Sequence, residues 1–536
     1  MATPEGTEDN RESLEMCRDQ LLTQIPMNLL RTSEAKRIRE ELECEDSVPD
    51  NQPPVSFRTW SEPVTEEKWL QSQGVDTTMP ENQGLQRFST PLNKFSSDWM
   101  NGVPTMEASK LILPQLQKAY TAIKDNTEAD KEVMNSLWHK LAACVAILGQ
   151  VANNLESESF AFCRQVLLEG AKHEEPKLNP QYDDHFDSPG YSPCARHEAA
   201  RGLLRFSFYQ PDTEILDAIE TLANDAVPSV RMVTAMKLFL VYNKAPERFW
   251  HIMGNRAIHE RNRVVQKFLY YTLTRVVARE KENENKTTRV MAKLLEHTPP
   301  PTEGLEPSDS FIVLLMWLRI NRQNPWAFKT IEDTYFKDPI RFANPLSRAV
   351  SEVVRDYVLP KHLETDEGRR RAKRAIEWLG QVIDLVSDRI KGLYRIAKED
   401  NTEENVKRLH DTYNVIDEVI TRLYFVVVYK RDQSEEPVEE ISDDLRREFY
   451  NEVKPLMQQV ITFAQNPENG IMFAPTAHYF MQLLRSFLGC NPKEVLHLAA
   501  GVVKSSEQFG YTLDTLAVME VVEFVEIVLA DYRHEV

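Results

Sequence analysis

From about residue 106 onward, apolar residues recur at helical spacing with few interruptions. In 128–155, Met134, Leu137, Leu141, Val145 and Leu148 lie three or four positions apart, which predicts one amphipathic helix. Segments 157–173, 367–399 and 403–430 carry the same period. The run "LYFVVVY" at 423–429 is β-branched, but the helical register leading into it predicts a buried helix end rather than a strand. Breaks fall at 174–192, at the proline-rich 298–309 and at the acidic 431–444. Residues 1–105 read differently. Short helical pieces alternate there with Pro, Gln, Ser and Asp, which predicts an irregular, partly helical arm docking through Trp60, Trp69 and Trp99. The expected order is this arm, helical repeats over 106–300, repeats with longer helices over 301–430, an acidic linker over 431–444, and a helical bundle over 445–536. The fold class is all-α.

The most informative stretch is "PDTEILDAIETLANDAVPSVRMVTAMKLFLVYN" (211–243). Its first helix, capped by Asp212 or Thr213, places Ile215, Leu216, Ile219 and Leu222 on one face. Asn224, Asp225 and Pro228 make a turn, and a second helix starts near Ser229 with Val230, Val233, Met236, Leu238 and Leu240. Asp225 can accept from the open amides of that second helix, where negative charge is favoured. Arg231 faces the same turn and can reach acidic groups of a neighbouring repeat. Ala235, four positions on, lets the paired helices approach. In its turn Asp, its Val-Arg opening and this small residue, the stretch resembles a HEAT repeat. The resemblance implies an α-solenoid of antiparallel helix pairs. Weaker echoes follow at 247–277, where Val265 and Leu273 stand in for Val230 and Leu238 but Gln266 replaces the Arg. Another lies at 340–358, with Asn344, Pro345 and Arg348. The helix opening "SPCARHEAARGLLRF" and the tail at 509–533 resemble the C-terminal helical regions of large bacterial multidomain ATPases, some of which serve in phage defence. That resemblance implies a module of a bacterial, antiviral-defence complex.

A chain of 536 residues is too long for one ordinary core, as a repeat array allows. Only 17 glycines argue against Gly-rich phosphate loops. A net charge of -19 disfavours a dedicated binder of nucleic acid or anionic membrane, though not a local basic face. Cys17, Cys44, Cys144, Cys163, Cys194 and Cys490 form no CxxC pair, so neither a zinc ribbon nor a redox dithiol is expected. The N-terminus is acidic and lacks an apolar signal core, and the longest apolar run, 311–318, is too short to span a bilayer. A cytoplasmic protein without a membrane partner is expected. The polar start also fits a chain that is part of a larger protein.

Residues 183–198 hold Asp183, Asp184, His185, Asp187, Cys194, His197 and Glu198, a mixture that could ligate a metal. The spacing matches no established zinc pattern. The expected reading is a loop entering a helix, with Ser192 as cap and Pro193 at the first helical position. No Walker A, HExxH, GxSxG or GxGxxG sequence occurs, so no cofactor, no metal and no enzymatic activity are expected. The neighbouring acids Asp417 and Glu418 read as solvated. Charge is the better signal: residues 231–295 carry fourteen Lys or Arg against five Asp or Glu. Arg248, Trp250, Arg256, Arg261, Arg263 and Lys267 could together hold phosphates or an acidic segment. A second cluster, Arg369, Arg370 and Arg371, opens a long helix, where positive charge opposes the dipole. Three functional readings follow. The first is a non-enzymatic solenoid scaffold or sensor that binds a protein partner. The second is a nucleic-acid binder using the basic face. The third is a base glycosylase using Trp250 with an Asp, for which no matching Asp can be placed.

Overall fold

The computed structural model describes residues 66–126, 128–187, 190–297, 307–428, 442–466, 474–505 and 519. Cys17, Cys44, Trp60, the proline-rich break at 298–306, the acidic linker at 431–441 and, Met519 apart, the tail at 509–533 lie outside the described residues. Among the described residues every regular element is helical. The chain divides into two units, Met1–Thr77 and Thr78–Val536. The first contains α1 (Glu66–Ser72). The turn after α1 holds Gly74, whose φ of 83° only glycine adopts without strain, so that the Val75 amide turns back to the Leu70 carbonyl at 3.1 Å.

The second unit is an α-solenoid. Its first helices, α2 (Pro80–Gln86) and α3 (Ser89–Trp99), fall inside the stretch expected as an arm. They bury Leu85, Leu92 and Phe95 and pack on α5. Next come α4 (Met106–Asp125), α5 (Lys131–Leu148) and α6 (Ser157–Gly170). The repeat stretch supplies α7 (Ala195–Tyr209), α8 (Thr213–Ala223), α9 (Pro228–Lys237), α10 (Pro246–His259) and α11 (Arg263–Val277). Beyond it lie α12 (Asn283–His297), α13 (Pro307–Arg322), α14 (Ala343–Tyr357), α15 (Asp366–Glu399) and α16 (Glu403–Val427). The last are α17 (Asp443–Ala464), α18 (Ala474–Ser486) and α19 (Pro492–Ser505).

Contacts sort these helices into layers. One unbroken row runs α5, α7, α9, α11, α13, α14, α16, α18, each packed on the next. The partner helices stack beside it in pieces, α8–α10–α12 and α15–α17–α19. Each pair hides only part of its apolar face, and the neighbouring pair covers the rest.

Local chemistry explains most boundaries. Asp212, not Thr213, caps α8, accepting from the Ile215 amide at 2.9 Å. Thr365 caps α15 through the Gly368 amide at 3.1 Å, and Asp366 and Glu367 suit its N-terminal dipole. Along α15, Trp378, Val382, Val386 and Ile390 are fully buried. Side chains of this size each contribute roughly 2–3 kcal/mol by leaving water. The segment 423–427 completes α16 as helix.

One expected start moves. Helix α7 begins at Ala195, not at Pro193, because Cys194 and His197 form a reciprocal cap in place of Ser192. The Cys194 amide donates to His197 Nδ1 at 3.2 Å. The proton therefore sits on Nε2, which donates to Ser229 Oγ on α9 at 2.9 Å. Burial, reinforced by Arg201 and Arg196, pushes the imidazole pKa down to about 3. His197 is thus a neutral residue that ties one repeat to the next.

Candidate functional site

The repeat period becomes a polar ladder. Arg196, Arg231 and Gln266 stand 35 positions apart near the starts of α7, α9 and α11, as do the turn acids Asp225 and Glu260. Each Arg reaches forward to the acid of the next turn: Arg196 to Asp225 at 2.9 Å, and Arg231 to Glu260 at 2.9 Å and 3.1 Å. Arg231 also donates to the carbonyls of Asp225 and Ala226, at 2.8 Å and 2.9 Å, bracing its own turn. Asp225 accepts from the Val227 amide at 2.9 Å. Gln266, lacking charge, donates back to the Glu260 carbonyl at 3.1 Å. Ala235 is buried, and its carbonyl accepts from Thr272 of α11 at 2.6 Å, a contact that a larger side chain would hinder.

The centre of the ladder is Glu260, fully buried and bonded by two guanidiniums, since Arg256 also donates to it at 2.6 Å. Burial alone would raise this carboxyl. The Arg231 hydrogen bond and the charges of Arg231 and Arg256 outweigh it and hold Glu260 below the usual carboxylate range.

The expected basic face is therefore largely spent inside the protein. Arg256 is buried and also donates to Asn224 at 3.0 Å. Arg248 lies against Asp217 and Glu220 of α8, the second at 2.7 Å. Trp250 is half-buried, edge-on to Phe249 at 4.9 Å, with Lys286 over its ring at 5.7 Å. Its ring is held in aromatic packing rather than offered as a flat platform to a base. Arg261 folds back onto the Ile258 carbonyl at 2.9 Å. Arg263 is exposed at the start of α11, and Lys267 lies over Phe268 at 5.4 Å. Arg369, Arg370 and Arg371 sit on α15 instead. Arg369 pairs with Glu448 at 3.1 Å, and the other two with Glu367 at 3.0 Å and 2.8 Å. Glu367 thus answers the dipole conflict expected there.

Sequence reasoning missed a groove between α15 and α17, with a cavity volume of about 1020 Å³. Ile376, Ile383, Leu456 and Phe463 give it apolar lining, and Glu377, Asp384, Asp388 and Glu452 outnumber Lys373 and Lys391 along it. The Ser387 hydroxyl faces it buried and without a partner. Helical spacing predicted α15, and a helical bundle was expected over 445–536, but neither reading showed that the outer shoulders of α15 and α17 would stay apart. Asp417 also departs from expectation. It is half-buried in a pocket with His410, Asn414 and Thr476, and burial pushes its pKa up to about 7, so it is not a freely solvated acid. Among the described residues no group of three His, Cys, Asp or Glu side chains is placed to hold a metal, and no helix is long and apolar enough to cross a membrane.

No family model and no curated protein matches the chain. Among solved structures it is similar to a chain of a homology model of the full-length AP-3 complex in an intermediate open conformation. The identity is 12% and the TM-score 0.26, over 92% of this chain and 80% of that one. It is also similar to a chain of the assembly in which Kap95p binding induces the switch loops of RanGDP to adopt the GTP-bound conformation. There the identity is 9% and the TM-score 0.19, over 94% of this chain and 84% of that one. At such TM-scores the solenoid assignment stands on the helix rows and the ladder themselves.

Proposed function

We propose that this protein is a non-enzymatic helical-repeat scaffold that holds a basic, amphipathic segment of a protein partner in the groove between α15 and α17. The observation that carries the reading is the groove itself. Its volume suits a peptide side-chain face, its floor is apolar, and its rim is acidic. A basic helix would cover the apolar floor, pair with Asp384 and Asp388, and bond the Ser387 hydroxyl. The pairing of Arg248, Arg256 and Arg369–Arg371 with the chain's own acids and carbonyls counts against nucleic acid as the main partner, because paired cations release few counterions. The bacterial defence complex rests only on the tail and helix-opening resemblances, and the cytoplasmic setting only on the sequence reading.

The test is capture by tagged full-length chain from native lysate after nuclease digestion, wild type beside the double variant D384K/D388K. Both aspartates are exposed, so the variant should fold. Partner proteins that survive digestion and are lost with the variant support the reading. Partners lost on digestion, partners kept by the variant, or substrate turnover by the purified chain would sink it.

A further inference from the structure

A second polar cluster lies on the unbroken row, away from the groove helices. Arg201 and Arg205 stand four positions apart on α7, hence on one face, and α7 packs against α9, which ends at Lys237. One carboxylate, Glu198, serves all three cations. It is buried and already bonded to Arg201 at 2.9 Å. Arg201 also contacts the Tyr191 hydroxyl. Arg205 is half-buried and donates to a neutral acceptor, the Ala146 carbonyl, at 2.5 Å. Lys237 is half-buried, and among the described residues no hydrogen bond or ion pair engages its ammonium. Burial, then Arg205 and Arg201, push its pKa down to about 8, with Glu198 the only opposing charge.

A half-buried cation without a counter-ion is costly, and two side by side repel each other. The last turn of α9 favours a cation, but it neutralises neither charge. Pairing Glu198 with Arg201 leaves Arg205 and Lys237 as an excess of two positive charges. A guanidinium beside an ammonium matches a phosphate dianion, which accepts from both, better than a carboxylate monoanion.

We propose that Arg205 and Lys237, flanked by Arg201, form a binding site for a phosphate group. The group arrives either on a side chain of a protein partner or as a free phosphate. Only the first source rests on the scaffold reading, and the site is measured without any partner present.

The experiment is isothermal titration of the full chain with inorganic phosphate, with acetate at matched ionic strength, and with a phosphoserine peptide. Saturable phosphate binding at one site is expected. Lys237→Met and Arg205→Gln should each weaken it about tenfold or more, while the distant surface variant Lys293→Gln leaves it unchanged. Because Lys237 has no partner to lose, Lys237→Met should melt no lower than wild type, which separates lost binding from lost folding. Peptide binding tighter than inorganic phosphate assigns the group to a protein chain, and equal affinity assigns a free phosphate. No saturable phosphate heat, unchanged affinity in Lys237→Met, or acetate binding as tight as phosphate would each overturn the proposal.

Discussion

The repeats over 195–277 and the long helices over 366–464 use the same building rule, helix against helix, but fasten it differently. In the first region charge is drawn inward. Glu260 and Arg256 are buried, Arg231 nearly so, and the Arg231–Glu260 and Arg256–Asn224 bonds cross from one repeat to the next. In the second, charge stays outside and mostly pairs within one helix, as Arg371 does with Glu367 and Arg422 with Glu418. The joint itself is apolar, with Trp378, Val382, Leu456 and Val460 buried. A directional polar ladder specifies repeat spacing and fills the turns. A greasy joint specifies less, and here it leaves an open shoulder between α15 and α17. Closed repeats and an open groove thus follow from where the charges were put.

The sharpest break in this contrast is Glu260→Ala. It strands Arg231 and Arg256 in a buried site, and the expected loss is about 3–5 kcal/mol, read by urea unfolding. Replacing Arg231, Arg256 and Glu260 together by apolar residues should cost far less than the single change. If Glu260→Ala costs under about 1 kcal/mol, the ladder is ornament and the contrast fails.

Next in size is a pH response tied to the repeat region. His197 falls from its ordinary 6.5 to about 3 on folding. Within that window the unfolded chain binds a proton that the folded chain refuses. Stability is therefore full above pH 6.5 and drops as pH falls toward 3, by up to about 1.4 kcal/mol per pH unit. His197→Gln should flatten this slope between pH 6 and 4.5, read by urea midpoints along the series. An unchanged slope would mean that the imidazole is not held neutral.

These sites mark what the sequence made legible. Helix existence was readable because burial imposes its period: the 367–399 stripe is α15 nearly to the residue. The Asp225–Arg231 turn was readable because local spacing dictates a cap and a bridge. Glu260 was not, because nothing local marks it. Its role appears only once the chain folds across a separation of 29 positions to bring it against Arg231. Cys194 displaced Ser192 as cap for a similar reason, since His197 had to be anchored by Ser229 of the next helix. The basic face misled in the opposite direction. Counting charges in 231–295 could not show that the acids pairing them lie partly outside that window, at Asp217 and Glu220. Grooves and charge clusters are properties of helices meeting, and period alone does not carry them.

A smaller effect sharpens the inward-facing side of the comparison. Thr272→Val removes the hydroxyl bond to the Ala235 carbonyl and keeps the shape, so about 1 kcal/mol should be lost.

The smallest effect belongs to the outward-facing side, and its smallness is the point. Glu448→Ala breaks the pair with Arg369, in which both partners are more than a third exposed. Water and salt already screen such a pair, and the freed side chains regain rotamer entropy. The expected change is within about 0.5 kcal/mol, read by the same urea midpoints. Arg369 is not left buried, so no stranded-charge penalty arises of the kind expected at Arg231. A loss as large as that of Glu260→Ala would mean that the long-helix region is also fastened by its ion pairs. The open groove would then need an explanation other than an apolar joint with loose shoulders.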